Sequence, residues 1–322
     1  KMLDQIVNWI IINRQLFYYF ALSISIPSTI LYILEMILII RNKQYSLSSF
    51  YKLFIIRGVS DIIGMLSIVG IFFGPNIYEL PNFAYAFFTF FLPTFCSEAS
   101  NIMTIYILLN RFSAIAFPFL YKTLWNKYFW HFIVFMVAIT LLNLSPLMLM
   151  NSKIVTKENT GVFIKSEKEP EMNCVRYSQT LNAIISTIFL LLALLINILT
   201  MIAHKQRKKE AKNAQNWAKI EKKLLIYALL TFAGHALVSV LLLVLSIGIL
   251  VEFDPLIYSL LSWVSILCTL VLSSWLLLFT CDSFRQQFVK DFCPKFFKPT
   301  AQQSITPMIN IVPKNCRLTI QK

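Results

Sequence analysis

Charged residues are scarce in this chain of 322 residues: only 14% are Asp, Glu, Lys or Arg, against about a quarter in an average soluble domain. The 15 acidic residues are outnumbered by 29 basic ones, so the formal net charge is +14. Glycine is also rare, with 7 residues, whereas 57% of the chain is hydrophobic. This composition excludes collagen-like and disordered chains and argues against a water-soluble globular domain. It is typical of a membrane protein whose basic loops separate apolar segments.

Motifs of common enzymes and metal sites are missing from the sequence. It contains no phosphate-binding Walker loop, dinucleotide-binding glycine fingerprint, His-Glu-x-x-His motif or paired Cys-x-x-Cys motif. The three histidines (His131, His204 and His235) are scattered, and six cysteines in a chain of this length do not make a disulfide scaffold. The sequence therefore predicts no enzyme activity, no cofactor, no metal site and no nucleic-acid partner.

Seven apolar runs are long enough to cross a bilayer, whose hydrocarbon core requires about 20 helical residues. Because lipid offers backbone amides no hydrogen-bond partner, each run is predicted to be helical. The N-terminal segment shows no signal-peptide cleavage site, so the first run is expected to stay in the protein. We name the runs spans one to seven: residues 20–40, 53–73, 83–110, 129–149, 181–203, 224–250 and 256–280.

Basic residues fall almost entirely in alternate connecting segments. One set of segments sums to a charge of +17 and the other set sums to −1. Because cytoplasmic loops retain Lys and Arg, we predict an N-terminus outside the cell and a C-terminus inside it, opposite to the insect-type odorant channels. The predicted fold is an all-α bundle of seven transmembrane helices. Its predicted parts are an extracellular segment 1–19, a seven-span domain 20–280, a juxtamembrane amphipathic helix 281–293 and a cytoplasmic tail 294–322.

Three stretches of the chain carry recognisable motifs: residues 48–61 (SSFYKLFIIRGVSD) at the start of span two, residues 109–118 (LNRFSAIAFP) at the end of span three, and residues 220–232 (IEKKLLIYALLTF) at the start of span six. In combination they resemble nematode serpentine receptors of the gamma (Srg) superfamily. The resemblance implies a seven-helix G-protein-coupled chemoreceptor in the plasma membrane of a sensory neuron. Its implied partners are a small external ligand, a heterotrimeric G protein and membrane lipids.

Two other functions remain open at this point. A multi-span solute transporter is the first alternative, although the sequence shows no self-similar halves and few glycines within its spans, where transporters often have repeats and broken helices. A non-signalling membrane scaffold or lipid-binding protein is the second alternative. Failure to engage any heterotrimeric G protein in reconstituted membranes would distinguish this second alternative from the receptor.

Arg111, at the cytoplasmic end of span three, is the predicted G-protein contact. Asn110 precedes it and Phe112 follows it, where rhodopsin-like receptors have an Asp-Arg-Tyr triplet. An ordinary positive-inside anchor is the alternative role for Arg111. Lys222 and Lys223, in the densest basic run, are predicted to frame the same G-protein cleft by extending span six inward, or to attract anionic lipid.

Charged residues (Asp, Glu, Lys or Arg) occur at four positions inside the predicted spans. A charge at the bilayer centre costs at least about 2.5 kcal/mol, so each is expected to face the bundle interior or a partner. Arg57 and Asp61 are four residues apart on one helical face, and Glu35 is expected at a similar depth. With Ser100 they form a predicted intramembrane polar network, for which a packing role is favoured over a proton relay. Asp61 also resembles the sodium-binding acid of rhodopsin-like receptors, but Arg57 would compete for its carboxylate.

Glu98, the fourth of these residues, lies about 20 Å above Arg111 along span three. An intramembrane acid marks a functional site by default, and ligand pockets combine apolar walls with a few polar groups. We therefore predict a ligand pocket at Glu98, with a protonated, hydrogen-bonded core residue as the alternative. The other predicted lining residues are Phe88, Phe91, Phe95, Ser186, His235 and Ser262.

Cys174 is the only cysteine in a predicted external loop. Rhodopsin-like receptors tie this loop to the outer end of helix three, which implies a disulfide between Cys96 and Cys174. Such a bridge requires Cα atoms within about 7 Å of each other. Otherwise Cys174 is a free or intermolecular thiol.

The segment after span seven is predicted to form a short amphipathic helix at residues 282–292. Phe284 and Phe288 lie four residues apart and resemble the eighth-helix pattern of rhodopsin-like receptors. This helix is expected on the inner membrane surface. Cys293 follows it and is placed for palmitoylation, or is an ordinary thiol. Beyond Lys298 the tail is predicted to be disordered.

Overall fold

The computed structural model describes residues 14–73, 87–148, 152–157, 161–166, 169–210, 215–249 and 263–292. Within these ranges, side chains are described at residues 19–69, 87–88, 91–145, 180–206, 226–227, 229–244 and 263–292. The predicted tail, Ser262 and Cys293 lie outside the described residues.

The described residues form an all-α membrane bundle with one small β-hairpin, so the predicted fold class is confirmed. The helices are α1 Arg14–Arg41, α2 Lys43–Ser46, α3 Ser49–Phe73, α4 Leu92–Ala116, α5 Pro118–Met148, α6 Glu169–Glu210, α7 Gln215–Ile249, α8 Leu272–Thr280 and α9 Asp282–Phe292. The described residues of spans one, two, four, five and six lie in α1, α3, α5, α6 and α7. Spans three and seven end in α4 and α8, and α9 is the predicted amphipathic helix. Two π-helical turns, Phe87–Phe91 and Leu267–Val271, precede α4 and α8 respectively.

Four helical segments among the described residues are long and apolar enough to cross a membrane. They are Tyr19–Arg41, Pro118–Ser145, Thr180–Gln206 and Trp263–Thr280. In α7 the described apolar stretch is shorter, at Leu229–Val244. The outward faces of these membrane-spanning helices are strongly apolar. On α5, for example, Trp130 is 70% exposed and Leu142 is 77% exposed. Such faces suit contact with lipid, because hydrocarbon tails are as apolar as leucine.

The helix α4 lies at the centre of the bundle, in contact with α3, α5, α6 and α7. Every residue from Glu98 to Leu108 is buried, including Ser100, Asn101 and Thr104. A helix surrounded by other helices carries polar residues without exposing them to lipid. This position allows α4 to carry Glu98 and several uncharged polar side chains in the bundle interior.

A close approach of α1 and α3 depends on Gly58. A Cβ atom at this position would lie 2.9 Å from the Tyr32 ring and 3.1 Å from the Met36 sulfur. Small residues allow membrane helices to pack this closely, and the ring of Tyr32 is itself fully buried. Gly58 is therefore a packing residue of the interface between α1 and α3.

We expect Gly58→Val to lower the thermal stability of the protein in lipid nanodiscs. Overpacking a tight core site costs about 1–3 kcal/mol. The matched control is Val59→Ala, because the neighbouring Val59 side chain is 45% exposed on the same helix. Equal unfolding temperatures for the two variants would show that the helices do not approach each other at Gly58.

An antiparallel hairpin connects α5 to α6 in the structure. Strands β1 (Ser152–Lys157) and β2 (Gly161–Ser166) pair with Ser152 opposite Ser166 and Lys157 opposite Gly161. The sequence analysis predicted no regular structure in this connection. The signal was nevertheless present in the sequence: β-branched and aromatic residues stand on both sides of Glu-Asn-Thr-Gly at 158–161, and this pattern favours a hairpin.

The helix α9 packs on the rest of the bundle through Phe284 and Phe288, which are buried. Phe284 is fully buried, and its ring lies 5.4 Å from the Tyr45 ring and 5.9 Å from the Tyr51 ring. Burial raises the pKa of the Tyr45 hydroxyl above its usual range. The predicted bounds of this helix are correct. Its Phe284 side chain, expected at the membrane surface, instead contacts aromatic residues of α2 and α3.

Candidate functional site

The structure divides the residues of the predicted ligand pocket between two places. Glu98 is 1% exposed and accepts a hydrogen bond from the Asn143 amide of α5. Phe91 and Phe95 stack with their ring centroids 6.0 Å apart, and both pack with Leu144 of α5. Glu98 and these two aromatic residues therefore face α5.

Phe88 does not belong to this aromatic stack, because its side chain is 48% exposed. Phe87 takes the expected place instead, stacking on Phe91 with a centroid distance of 5.1 Å. The π-helical turn at Phe87–Phe91 is the physical reason. A π turn contains an extra residue, so it rotates the residues above it away from the face that α-helical spacing predicts.

Ser186 and His235 lie at a different place, a small cavity between α4, α6 and α7. One side of this cavity is apolar and the other carries neutral polar groups. We call it the α4–α6–α7 cavity, and its lining residues are Asn101, Thr104, Ile105, Ser186, Phe189, Leu190, Ala193, Phe232, His235 and Ser239. Asn101 and Thr104 were not predicted as site residues, although their spacing of three placed both on one face of span three.

His235 of α7 is held by hydrogen bonds from two other helices. Its Nδ1 lies 2.7 Å from the Asn101 Oδ1 atom, and its Nε2 lies 3.0 Å from the Arg57 Nη2 atom. Arginine only donates, so Nε2 accepts and the ring proton lies on Nδ1, where it is donated to Asn101. The Thr104 hydroxyl is also 3.0 Å from Nε2. The imidazole is therefore neutral, and both of its nitrogens are bonded within the protein.

Arg57 continues this network toward α3 and the centre of the bundle. Its guanidinium is fully buried, and its Nε lies 3.5 Å from the Asp61 carboxylate. Ser100 lies beside that carboxylate. The structure thus brings together three of the four residues of the predicted polar network. It joins them to His235, which the sequence analysis had assigned only to the ligand pocket.

Glu35, the fourth residue of that network, stands apart from the ion pair. It is fully buried in α1, and neither of its carboxylate oxygens has a hydrogen-bond partner in the described part of the chain. The hydroxyls of Tyr32 and Tyr227 are likewise buried without such a partner. The predicted contact of Glu35 with Arg57 does not form in this structure, where Arg57 bonds to Asp61 and His235.

Arg111 lies at the end of α4 against an aromatic ring of α3. Its guanidinium carbon lies 3.7 Å from the centroid of the Phe50 ring, a cation–π geometry. The Phe50 ring in turn meets the Tyr227 ring of α7 edge-on, at 6.2 Å between centroids. Asn110, which is buried, accepts a hydrogen bond of 3.3 Å from the Tyr121 hydroxyl of α5. Arg111 is thus linked through aromatic contacts to α3 and α7.

Lys222 and Lys223, the other predicted coupling residues, belong to the first part of α7. Their side chains lie outside those the structure describes. The backbone supports the predicted inward extension, since α6 continues to Glu210 and α7 begins at Gln215.

The predicted disulfide between Cys96 and Cys174 is wrong in this structure. Cys96 is a free, buried thiol. It faces Gly64 of α3, where a Cβ atom would lie 3.0 Å from the Cys96 Cβ. Cys174 belongs to α6, and its side chain lies outside those the structure describes. Cys96 is therefore a packing residue between α3 and α4.

A model of the Srg family chemoreceptors matches residues 18–288, from the first turns of α1 into α9. The chain belongs to the Srg family of chemoreceptors. No curated protein matches the chain. Family membership supports a multi-pass membrane protein that acts as a chemosensory receptor.

The match includes the α4–α6–α7 cavity, the polar network and Arg111 of this Srg chemoreceptor, which all lie between residues 18 and 288. The resemblance inferred from the three sequence stretches is thereby confirmed.

Proposed function

We propose that this Srg chemoreceptor binds a small external molecule in the α4–α6–α7 cavity and activates a heterotrimeric G protein at the cytoplasmic end of α4. The observation that carries the proposal is the position of His235. It lines the cavity and is also bonded to Arg57 of α3 and Asn101 of α4. A molecule in the cavity therefore contacts the residue that connects three helices.

The ligand is coupled to the G protein through a shift in the populations of two arrangements of α7. A ligand that binds better when α7 has moved away from α3 and α4 stabilises that arrangement by its difference in affinity between the two states. Movement of α7 carries Tyr227 with it and loosens the aromatic contacts around Phe50 and Arg111. Arg111 then becomes available to the G protein. We place this activity in the plasma membrane of a sensory neuron.

A ligand screen in cells that supply candidate G proteins tests the proposal, with calcium or cyclic nucleotide as readout. A compound that activates the wild type is then applied to Leu190→Trp, which fills the α4–α6–α7 cavity, and to Leu191→Trp. Leu191 is the matched control because its side chain is 60% exposed on the outer face of α6. Activation should be lost only in the Leu190 variant. Uptake of the compound without any G-protein response would indicate a transporter instead.

The orientation of the chain is tested by epitope tags at its two ends. We expect an antibody to reach a tag before Met2 on intact cells, and a tag after Lys322 only after permeabilisation, because the basic segments stay in the cytoplasm. The reverse labelling would place the Arg111 end of α4 outside the cell and refute coupling at that end.

A further inference from the structure

The α4–α6–α7 cavity offers hydrogen-bond donors to a ligand, and His235 is not among them. Both of its ring nitrogens are engaged within the protein. Because the His235 proton is donated to the Asn101 oxygen, the Asn101 amide nitrogen is left to donate elsewhere. Asn101 lines the cavity, and within the described part of the chain no group accepts from this nitrogen.

Two serine hydroxyls add to the donors on this polar side. The Ser186 hydroxyl makes a long bond of 3.3 Å to Asn182, and the Ser239 hydroxyl lies 3.5 Å from the Ser186 carbonyl oxygen. Bonds of this length are weak, so both hydroxyls are able to turn toward a better acceptor. The polar side therefore suits a ligand that carries an acceptor oxygen.

No described lining residue of the cavity carries a formal charge. The nearest ionised group, Arg57, lies behind His235 and is already paired with Asp61. Burying an ionised ligand without a counter-charge costs far more free energy than burying a neutral one. The opposite wall consists of aliphatic and aromatic side chains, among them Ile105, Phe189 and Phe232.

We infer that the α4–α6–α7 cavity takes a small uncharged molecule with a short hydrocarbon part and an acceptor oxygen, such as a ketone, ester or ether. The acceptor oxygen lies against Asn101, Ser186 and Ser239, and the hydrocarbon part lies against the apolar wall. This ligand class rests on the proposed function of the cavity.

Four probes of equal chain length test the ligand class: 2-heptanone, heptanoate, heptylammonium and heptane. The full-length receptor is held in lipid nanodiscs, and its thermal unfolding temperature is measured with each probe. A molecule that binds only the folded state raises this temperature. All four probes also enter the lipid, so each is repeated on Ala193→Phe, which fills the cavity from α6. For each probe we compare the rise in unfolding temperature of the wild type with the rise in unfolding temperature of this variant, and take the difference.

We expect 2-heptanone to raise the wild-type unfolding temperature by about 3 °C more than that of the variant. Heptanoate and heptylammonium should change the unfolding temperatures of the wild type and the variant equally. Heptane should give a much smaller difference between the two proteins than 2-heptanone does. Ser186→Ala keeps the cavity open while removing one donor, and it should lose half or more of the ketone's shift. This second variant decides the question if Ala193→Phe does not fold.

Two results overturn the inference, and they have different consequences. If a charged probe gives a wild-type-specific shift as large as that of 2-heptanone, the ligand class is wrong while the cavity remains the binding site. If no probe distinguishes the wild type from both variants, the cavity is not a site for molecules of this class, and its role in the proposed function fails as well.

Discussion

Arg111→Ala is expected to abolish G-protein activation and to leave the receptor at the cell surface. Arg111 lies at the end of α4, away from the bilayer centre, so its removal costs little insertion energy. A central arginine at a protein interface typically contributes about 2 kcal/mol or more to binding, which corresponds to about a thirty-fold loss of affinity for the G protein. Ligand binding in the distant α4–α6–α7 cavity should survive.

The matched control for Arg111→Ala is Lys127→Ala. Lys127 is an exposed cation on the predicted cytoplasmic side and lies 5.3 Å from the centroid of the Tyr128 ring, so it shares the charge and the aromatic contact of Arg111. Surface labelling, ligand binding and G-protein activation are measured for both variants. Undiminished activation by Arg111→Ala at normal surface expression would refute the coupling role.

His235→Phe is expected to raise signalling in the absence of ligand. Phenylalanine keeps the volume of the ring but removes both nitrogens, so the buried Arg57 Nη2 and Asn101 Oδ1 atoms lose their partner on α7. A buried polar group left without a partner costs about 1–3 kcal/mol, and more when it is charged. This cost falls on the packed arrangement of α3, α4 and α7, and therefore favours the open one by about ten-fold.

Two further variants provide comparisons for the rise in ligand-independent signalling. Asn101→Ala removes only one of the bonds to His235, so its ligand-independent signalling should rise less than that of His235→Phe. Val240→Ala touches none of these bonds, because the Val240 side chain is 50% exposed on the outer face of α7, so it should signal like wild type. Equal ligand-independent signalling in all three variants, at matched surface expression, would show that His235 does not restrain α7.

The helices of the bundle were predictable because a segment that crosses lipid must be helical, and its sequence is a long, continuous apolar run. Their ends were less predictable, because the helices continue into water, where hydropathy no longer marks them. Thus span five was predicted to end at Ala203, whereas α6 continues to Glu210. Similarly, α5 begins at Pro118, a residue favoured in the first turn of a helix, and not at Phe129.

The sequence predicted site residues better from spacing within one helix than from assumptions about which helices are in contact. The Arg57–Asp61 pair follows from spacing within one helix and is present in the structure. The pocket at Glu98 required knowing which helix the upper face of α4 meets. The π-helical turn at Phe87–Phe91, which changes that face, has no clear sequence signature. The partnership of His235 with Arg57 joins residues 178 positions apart, and no periodicity within one helix reports it.

The central claim is that Arg111 drives G-protein activation once it is released from Phe50, and one variant tests it without any ligand. Phe50→Leu removes the ring under the guanidinium, a contact worth about 0.5–2 kcal/mol. The control is Phe54→Leu, one turn away on α3, because Phe54 is equally buried but packs on Tyr32. Both variants, and Phe50→Leu combined with Arg111→Ala, are purified in nanodiscs.

The decisive measurement is the rate at which each purified variant catalyses nucleotide exchange on a heterotrimeric G protein in the absence of ligand. The account predicts that Phe50→Leu exceeds wild type by about two-fold to thirty-fold, from that free-energy range. It also predicts that Phe54→Leu matches wild type and that adding Arg111→Ala abolishes the gain. A Phe50→Leu rate equal to wild type, or a gain that persists without Arg111, would contradict it.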